Sequence, residues 1–147
     1  MKIGLTSYSL HSDIKHGRKT ILDAMRFASE NGAEHMEIVP LCFSLYDDAT
    51  GTFNDALIEE IRALSAELAL PLSNYAISAN LMSEDKDTRR AEVERVKRNV
   101  DVACRIGIPT MRHDLASSGS PSGENSARAF EHFLPFAVES AREIADY

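Results

Sequence analysis

The sequence predicts an α/β fold in which four strands and four helices alternate as (βα)4 around one parallel sheet. Short apolar runs recur about every 35 residues, which is the length of one strand, one helix and two connections. The helix-to-strand connections are short, whereas every strand-to-helix connection is long. The chain has 147 residues, 44% of them hydrophobic, enough for a single-domain core over residues 1–147. Parallel strands with right-handed crossovers follow, with the long loops at the carboxyl ends of the strands, where α/β folds carry their sites.

Apolar runs bounded by polar residues, glycine or proline predict the strands. The predicted strands are Ile3–Leu10, His35–Val39, Leu72–Ala79 and Thr110–His113. A polar loop is predicted over His11–Lys19, a longer one over Leu41–Phe53, a charged one over Asn80–Thr88, and one rich in Ser and Gly over Leu115–Asn125.

Apolar residues at helical spacing predict the helices between and after these strands. Thr20 and Asp23 form a capping-box pattern at the start of the first helix, and Gly32 suits its left-handed end. Asn54 is the expected cap of the second helix, and Ser126 the expected start of the fourth. The third helix is expected to point Arg89, Arg90, Glu94 and Arg98 outward, and the fourth to bury Phe130, Phe133, Leu134, Ala137, Ala141 and Ile144, with a kink or break at Pro135.

The composition excludes several classes of function. A formal net charge of −7 argues against nonspecific binding to nucleic acid or to anionic membranes. No apolar run approaches the ~20 residues that cross a bilayer. Cys42 and Cys104 lie far apart, with no spacing typical of a zinc site or a disulfide framework. With no signal segment at the start of the chain, these features predict a cytoplasmic protein.

The final helix, up to Tyr147, carries no terminal Gly or Asn and ends in mid-helix character. Four parallel βα units are also half of an eightfold barrel, which typically needs ~250 residues. We therefore expect a truncated chain that forms the first half of such a barrel.

Three segments resemble one family. They are Lys2–Leu10 (KIGLTSYSL), Asn31–Ile38 (NGAEHMEI) and Met111–His113. Their order and spacing are similar to those of the xylose isomerase-like TIM barrels, the sugar phosphate isomerase/epimerase family related to endonuclease IV. The likeness covers the whole chain but only the first half of the family's barrel.

The resemblance implies an enzyme that uses a divalent metal (Mn, Mg, Zn or Co) and acts on a small sugar, keto-sugar or polyol. Such enzymes move a proton next to a carbonyl while the metal polarises the oxygens. The family's metal ligands come from the second half of the barrel. We therefore expect no metal site in this chain, and no activity from it alone.

Four residues at or just beyond the carboxyl ends of the predicted strands are the candidate substrate-binding residues: Tyr8, Glu37, Asn80 and His113. Glu37 and His113 are also the candidate catalytic residues, because a carboxylate and an imidazole can orient hydroxyls or transfer protons. Tyr8 could wall a sugar pocket or pack into the core.

Each polar candidate has a structural alternative. Glu37 could form a salt bridge with Arg112 instead of binding substrate. His113 could be a neutral imidazole held by Asp114 or by a backbone carbonyl. Asn80 could serve only an Asx turn in its loop.

Two other functional hypotheses are alternatives to a sugar isomerase or epimerase. The chain could be a complete small α/β domain that binds a ligand or partner without catalysis. It could also be an endonuclease IV-like zinc enzyme, since His113 matches one zinc-binding position of that branch, although Asn74 and Tyr75 stand where strand 3 would need a histidine. Half a barrel would leave two sheet edges unpaired, so a homodimer through those edges is the expected assembly.

Overall fold

The computed structural model describes residues 1–116 and 126–147. Its elements are β1 (Gly4–Thr6), a 3-10 helix (Ser7–Leu10), α1 (His11–Lys15), α2 (Ile21–Glu30), β2 (His35–Ile38), α3 (Asp55–Glu67), β3 (Leu72–Ile77), α4 (Lys86–Ile106), β4 (Met111–His113) and α5 (Ser126–Ala145). The strands form one sheet in the order β1-β2-β3-β4, and β2 pairs in parallel with both β1 and β3. The predicted (βα)4 parallel sheet is confirmed, and most of the predicted loop at residues 115–125 lies outside the described residues.

The first predicted strand is wrong beyond Thr6, where the chain turns into a 3-10 helix and then α1. Thr6 caps that turn, since its Oγ1 accepts a hydrogen bond of 3.3 Å from the amide of Tyr8. Ser7 is buried and bonds both backbone groups of Val39, accepting from its amide at 2.7 Å and donating to its carbonyl at 3.2 Å. The bonds of Ser7 to Val39 take the place of the backbone hydrogen bonds that a longer first strand would make with β2.

The predicted helix caps are confirmed. Thr20 and Asp23 form a reciprocal capping box, with amide-to-side-chain bonds of 2.8 and 3.1 Å. Asn54 accepts a bond of 3.3 Å from the amide of Leu57 at the start of α3. Gly32 has φ +79° and ends α2 in the left-handed conformation.

None of the described helices is long and apolar enough to cross a bilayer.

The chain divides into two compact units, which we describe separately. The first unit comprises Met1–Ile77 and Val100–Arg112, and the second comprises Ser78–Asn99 and His113–Tyr147. The first unit buries one side of the sheet against its helices. Its buried apolar residues include Ile21, Ala24, Met25 and Ala28 of α2, Met36 and Ile38 of β2, Ile58, Ile61 and Leu64 of α3, and Tyr75, Ala76 and Ile77 of β3.

The second unit departs from two predicted burial patterns. Arg89 is buried rather than outward, because Nη1 donates to the carbonyls of Ser83 and Glu84 at 2.8 and 3.1 Å and the guanidinium lies over the Phe136 ring. Phe130 and Leu134 of α5 are exposed rather than buried, so their apolar spacing marks a surface stripe and not a core-facing one.

Candidate functional site

One side of the sheet in the first unit is lined by polar side chains. Along β2, Met36 and Ile38 are buried, whereas His35 and Glu37 between them are half-buried. Side chains from β3 and from the residue before β4 extend this row. We call the side chains of His35, Glu37, Ser73, Asn74 and Thr110 the polar sheet face.

A register shift between β2 and β3 places two consecutive residues of β3 on this face. Met36 lies opposite Leu72, but Glu37 lies opposite Asn74, so one extra residue of β3 is accommodated between them. That residue is Ser73, which bonds to His35. Without the shift, successive side chains of β3 would point to opposite sides of the sheet.

The amino-terminal end of the polar sheet face is built around His35. Its Nδ1 lies 2.9 Å from Ser73 Oγ, and that hydroxyl donates to the carbonyl of Met36 at 3.3 Å. Gly4 is the register partner of His35 on the adjacent strand β1, and a Cβ at position 4 would overlap the imidazole ring. The ring therefore occupies the space that a side chain on β1 would fill.

The carboxyl-terminal end of the face carries a hydrogen-bonded chain of three residues. Asn74 Nδ2 donates to Glu37 Oε1 at 2.7 Å. Thr110 Oγ1 lies 2.7 Å from the carbonyl of Ser73 and 3.1 Å from Asn74 Oδ1, and its one hydrogen is shared between these two acceptors. Because a carboxylate only accepts, the Asn74 amide must present its NH2 group to Glu37. Among the described residues, the hydrogen-bond partner of Glu37 is therefore the Asn74 amide.

Tyr8 lies in the 3-10 helix of the first unit and is 53% exposed, so it is not a core residue. Its ring stacks on that of His11, with centroids 5.0 Å apart and planes inclined by 15°. The His11 Nδ1 lies 3.0 Å from the Tyr8 carbonyl, which holds the pair together. No hydrogen bond or ring contact joins Tyr8 to Glu37 in the described part of the chain.

Asn80 lies in the second unit, where α4 holds its backbone. Its amide donates to Glu92 Oε1 at 2.8 Å, and its side-chain Oδ1 accepts from the amide of Met82 at 3.3 Å, which forms the Asx turn. Glu92 also binds Arg95, with Nε and Nη2 each 2.8 Å from a carboxylate oxygen, and Arg95 donates to the Ser78 carbonyl.

The charge state of Glu92 follows from these bonds. Burial raises the pKa of the Glu92 carboxyl, but the hydrogen bonds from Arg95 and from the Asn80 amide, with the Arg95 charge, outweigh it and lower the pKa below its ordinary value. Glu92 is therefore a carboxylate at neutral pH that fixes the start of the loop after β3.

His113 is the last residue of β4 and is half-buried in the second unit. Its Nδ1 lies 3.0 Å from the Asp114 carbonyl, which can only accept, so Nδ1 carries the proton. In the neutral ring, Nε2 is then an acceptor. No hydrogen bond joins His113 to Asn80 among the described residues of this unit.

The described residues do not form a metal site. Within residues 1–116 and 126–147, no group of three or more His, Cys, Asp or Glu side chains is placed to hold a metal ion. The group bonded to Glu37 is the amide of Asn74, which is a weak substitute for the carboxylate and imidazole ligands of Mn, Zn or Co.

Sequence reasoning missed Asn74 and Thr110 as neighbours of Glu37. Asn74 is a polar residue inside an otherwise apolar strand, and that signal could have been followed to the adjacent strand. The side of the sheet on which the Asn74 side chain lies depends on the register shift, and no sequence pattern indicates that shift.

Solved structures share this fold. The chain superposes on D-psicose 3-epimerase crystallised in the presence of D-fructose (TM-score 0.61, 18% identity, 95% of this chain and 50% of that one). It also superposes on a sugar phosphate isomerase/epimerase from Parabacteroides distasonis (TM-score 0.59, 19% identity, 97% and 48%). A third match is 3-keto-D-glucoside 4-epimerase from E. coli (TM-score 0.57, 16% identity, 99% and 52%). No curated protein matches the sequence.

The chain spans about half the length of these epimerase structures. At these identities the likeness establishes the fold, and the predicted half-barrel architecture is confirmed. A family model described as xylose isomerase-like TIM barrel matches residues 25–147. The chain therefore belongs to the xylose isomerase-like TIM barrel family.

Proposed function

We propose that this chain forms the substrate-binding half of a sugar isomerase or epimerase that acts on a small keto-sugar or polyol. The observation that carries the proposal is the carboxylate of Glu37, held by Asn74 near the carboxyl end of β2. In barrels of this kind, substrates bind at that end of the strands. The sugar epimerases that share the fold support the same substrate class.

Glu37 is suited to orient a sugar rather than to bind an anion. A half-buried carboxylate accepts strong hydrogen bonds from hydroxyl groups and repels phosphate or carboxylate ligands. The proton transfer next to the carbonyl needs an acid and a base in addition. We place those groups, and the divalent metal of such an enzyme, outside the described part of this chain.

A sugar titration tests the proposal. D-fructose added to the ¹⁵N-labelled chain is expected to shift the Glu37 and Asn74 resonances saturably. In Glu37→Gln the affinity is expected to fall roughly 10-fold or more, because a hydrogen bond to a charged group contributes about 1.5–3 kcal/mol. The measurement is the dissociation constant by NMR.

Glu60→Gln is the matched control, since Glu60 is an exposed carboxylate on α3. Absence of saturable shifts, or equal affinity in Glu37→Gln, would overturn the proposal. In D2O the chain alone is expected to leave the C–H bonds next to the sugar carbonyl unexchanged. Deuterium incorporation would place the acid and base within this chain.

We further propose that two copies of the chain associate. β1 and β4 are the outer strands of the sheet, and a closed barrel of this family has eight strands. In the second unit, Phe130, Leu134 and Val138 of α5 are exposed at four-residue spacing and form one apolar stripe. Burial of this stripe and pairing of the outer strands favour a homodimer.

Sedimentation equilibrium is expected to give twice the 16.2 kDa chain mass. Leu134→Gln removes apolar area from the stripe and should weaken association about tenfold, while Glu131→Gln on the same helix should leave it unchanged. A monomer at all concentrations, or equal association in both variants, would contradict the proposed dimer.

A further inference from the structure

Two polar groups on the polar sheet face are free to bind a ligand. Among the described residues, Glu37 Oε2 receives no hydrogen bond, and Asn74 Nδ2 donates only one of its two hydrogens. The hydrogen bond that joins the two side chains, from Asn74 Nδ2 to Glu37 Oε1, is 2.7 Å long. An unused acceptor and an unused donor therefore stand side by side.

Thr110 fixes the direction of this pair. Its one hydroxyl hydrogen is shared between the Ser73 carbonyl at 2.7 Å and Asn74 Oδ1 at 3.1 Å, so the amide has a hydrogen-bond contact at both of its ends. An Asn amide held only by Glu37 could rotate about its last torsion, which is broad. With both ends in contact, the second N–H of Asn74 keeps one direction.

We infer that Glu37 and Asn74 read a vicinal diol, and that Thr110 is the positioning residue that aligns them. The inference rests on the proposed function and specifies which part of the sugar this site binds. One hydroxyl of the diol donates to Glu37 Oε2, and its neighbour accepts from Asn74 Nδ2. Ligands with other chemistry match less well.

The alternatives fail on charge or on valence. The Glu37 carboxylate repels an anion, and an ammonium group, which can only donate hydrogen bonds, cannot accept one from the N–H of Asn74. A single hydroxyl can satisfy one of the two groups but leaves the other desolvated and unpaired, which lowers affinity. Two adjacent hydroxyls satisfy both.

The test uses cis-cyclopentane-1,2-diol and cyclopentanol as rigid probes, titrated into the ¹⁵N-labelled chain. The diol is expected to bind about tenfold more tightly, the effect of one additional hydrogen-bond pair. Thr110→Val, which has the same shape without the hydroxyl, should remove most of this preference. Thr110→Ser, which restores the hydroxyl, should recover it to within about twofold.

A ligand-free signal separates positioning from folding. The side-chain NH2 resonances of Asn74 are expected to move in both Thr110→Val and Glu37→Gln and to return in Thr110→Ser, while the backbone spectrum elsewhere stays unchanged. Equal binding of both probes, or a Thr110→Val variant that behaves as wild type, would overturn the inference. If D-fructose binds but the diol is not preferred over cyclopentanol, the inference is wrong and the proposed function stands. If D-fructose does not bind, both are wrong.

Discussion

Replacing Ile61 by alanine is expected to lower the free energy of unfolding of the first unit by about 2–5 kcal/mol. Ile61 lies in the middle of α3 and is 0% exposed, with Ile58 and Leu64 buried on the same stripe. The truncation removes buried methyl and methylene groups and leaves a cavity that the packed helix and sheet cannot fully close. Urea unfolding followed by tyrosine fluorescence measures the change.

The chain offers a suitable probe and a matched control. There is no tryptophan, and three of the four tyrosines, Tyr8, Tyr46 and Tyr75, lie in the first unit. Glu60→Ala, one residue away on the exposed side of α3, should change stability by less than about 0.5 kcal/mol. Equal effects of the two alanine variants would mean that α3 does not bury the stripe described here.

Glu92→Gln is expected to destabilise the second unit by about 1.5–3 kcal/mol at pH 7. The side chain of Glu92 is 20% exposed and accepts charge-assisted bonds from Arg95 and a bond from the Asn80 amide. The amide of glutamine keeps the shape but loses the charge, so the contacts with the half-buried Arg95 are weakened.

The same variant has a defined pH dependence. Because the pKa of Glu92 is lowered in the folded chain from its ordinary value of 4.5, its contribution to stability is present above pH 4.5. That contribution is lost as the pH falls through the lower folded pKa. The difference between wild type and Glu92→Gln should therefore narrow below pH 4.5, as measured by thermal unfolding in buffers of decreasing pH.

Glu94→Gln provides the comparison for this effect. Glu94 lies two residues further along α4, and its side chain is 55% exposed and pairs with Lys97. An exposed pair of this kind contributes roughly 0–1 kcal/mol, so the variant should be nearly neutral at pH 7. A difference between wild type and Glu92→Gln that is constant from pH 7 to pH 3 would show that the carboxylate charge is not what stabilises the loop.

The sequence predicts the fold well where local signals determine it. The Thr20–Asp23 box and Asn54 mark helix starts through side chains that bond the nearest amides, so a few residues suffice to place them. The end of α3 is less visible, because Ala69 adopts the left-handed conformation (φ 47°) where α2 uses Gly32. At the end of α3, Pro71 is the local residue that indicates that the helix has stopped.

Long-range contacts account for what the sequence did not predict. The buried hydroxyl of Ser7 bonds Val39, 32 positions away, and that bond shortens β1. Arg89 has a charged side chain typical of a surface, yet loop carbonyls and an aromatic ring satisfy it inside. The place of Glu37 on β2 is visible in the sequence, but its partner Asn74 is determined by a register shift that no local pattern encodes. Its substrate role, like those of Tyr8, Asn80 and His113, stays a prediction.

The missing side chain of Gly4 has a consequence for how this sequence can change over time. The His35 ring fills the volume that a side chain at position 4 would need, so the two positions share a single space across two strands. A larger residue at position 4 requires the imidazole to move out of this space or position 35 to become smaller in the same lineage. Positions 4 and 35 should therefore vary as a pair among relatives, with their combined volume kept nearly constant.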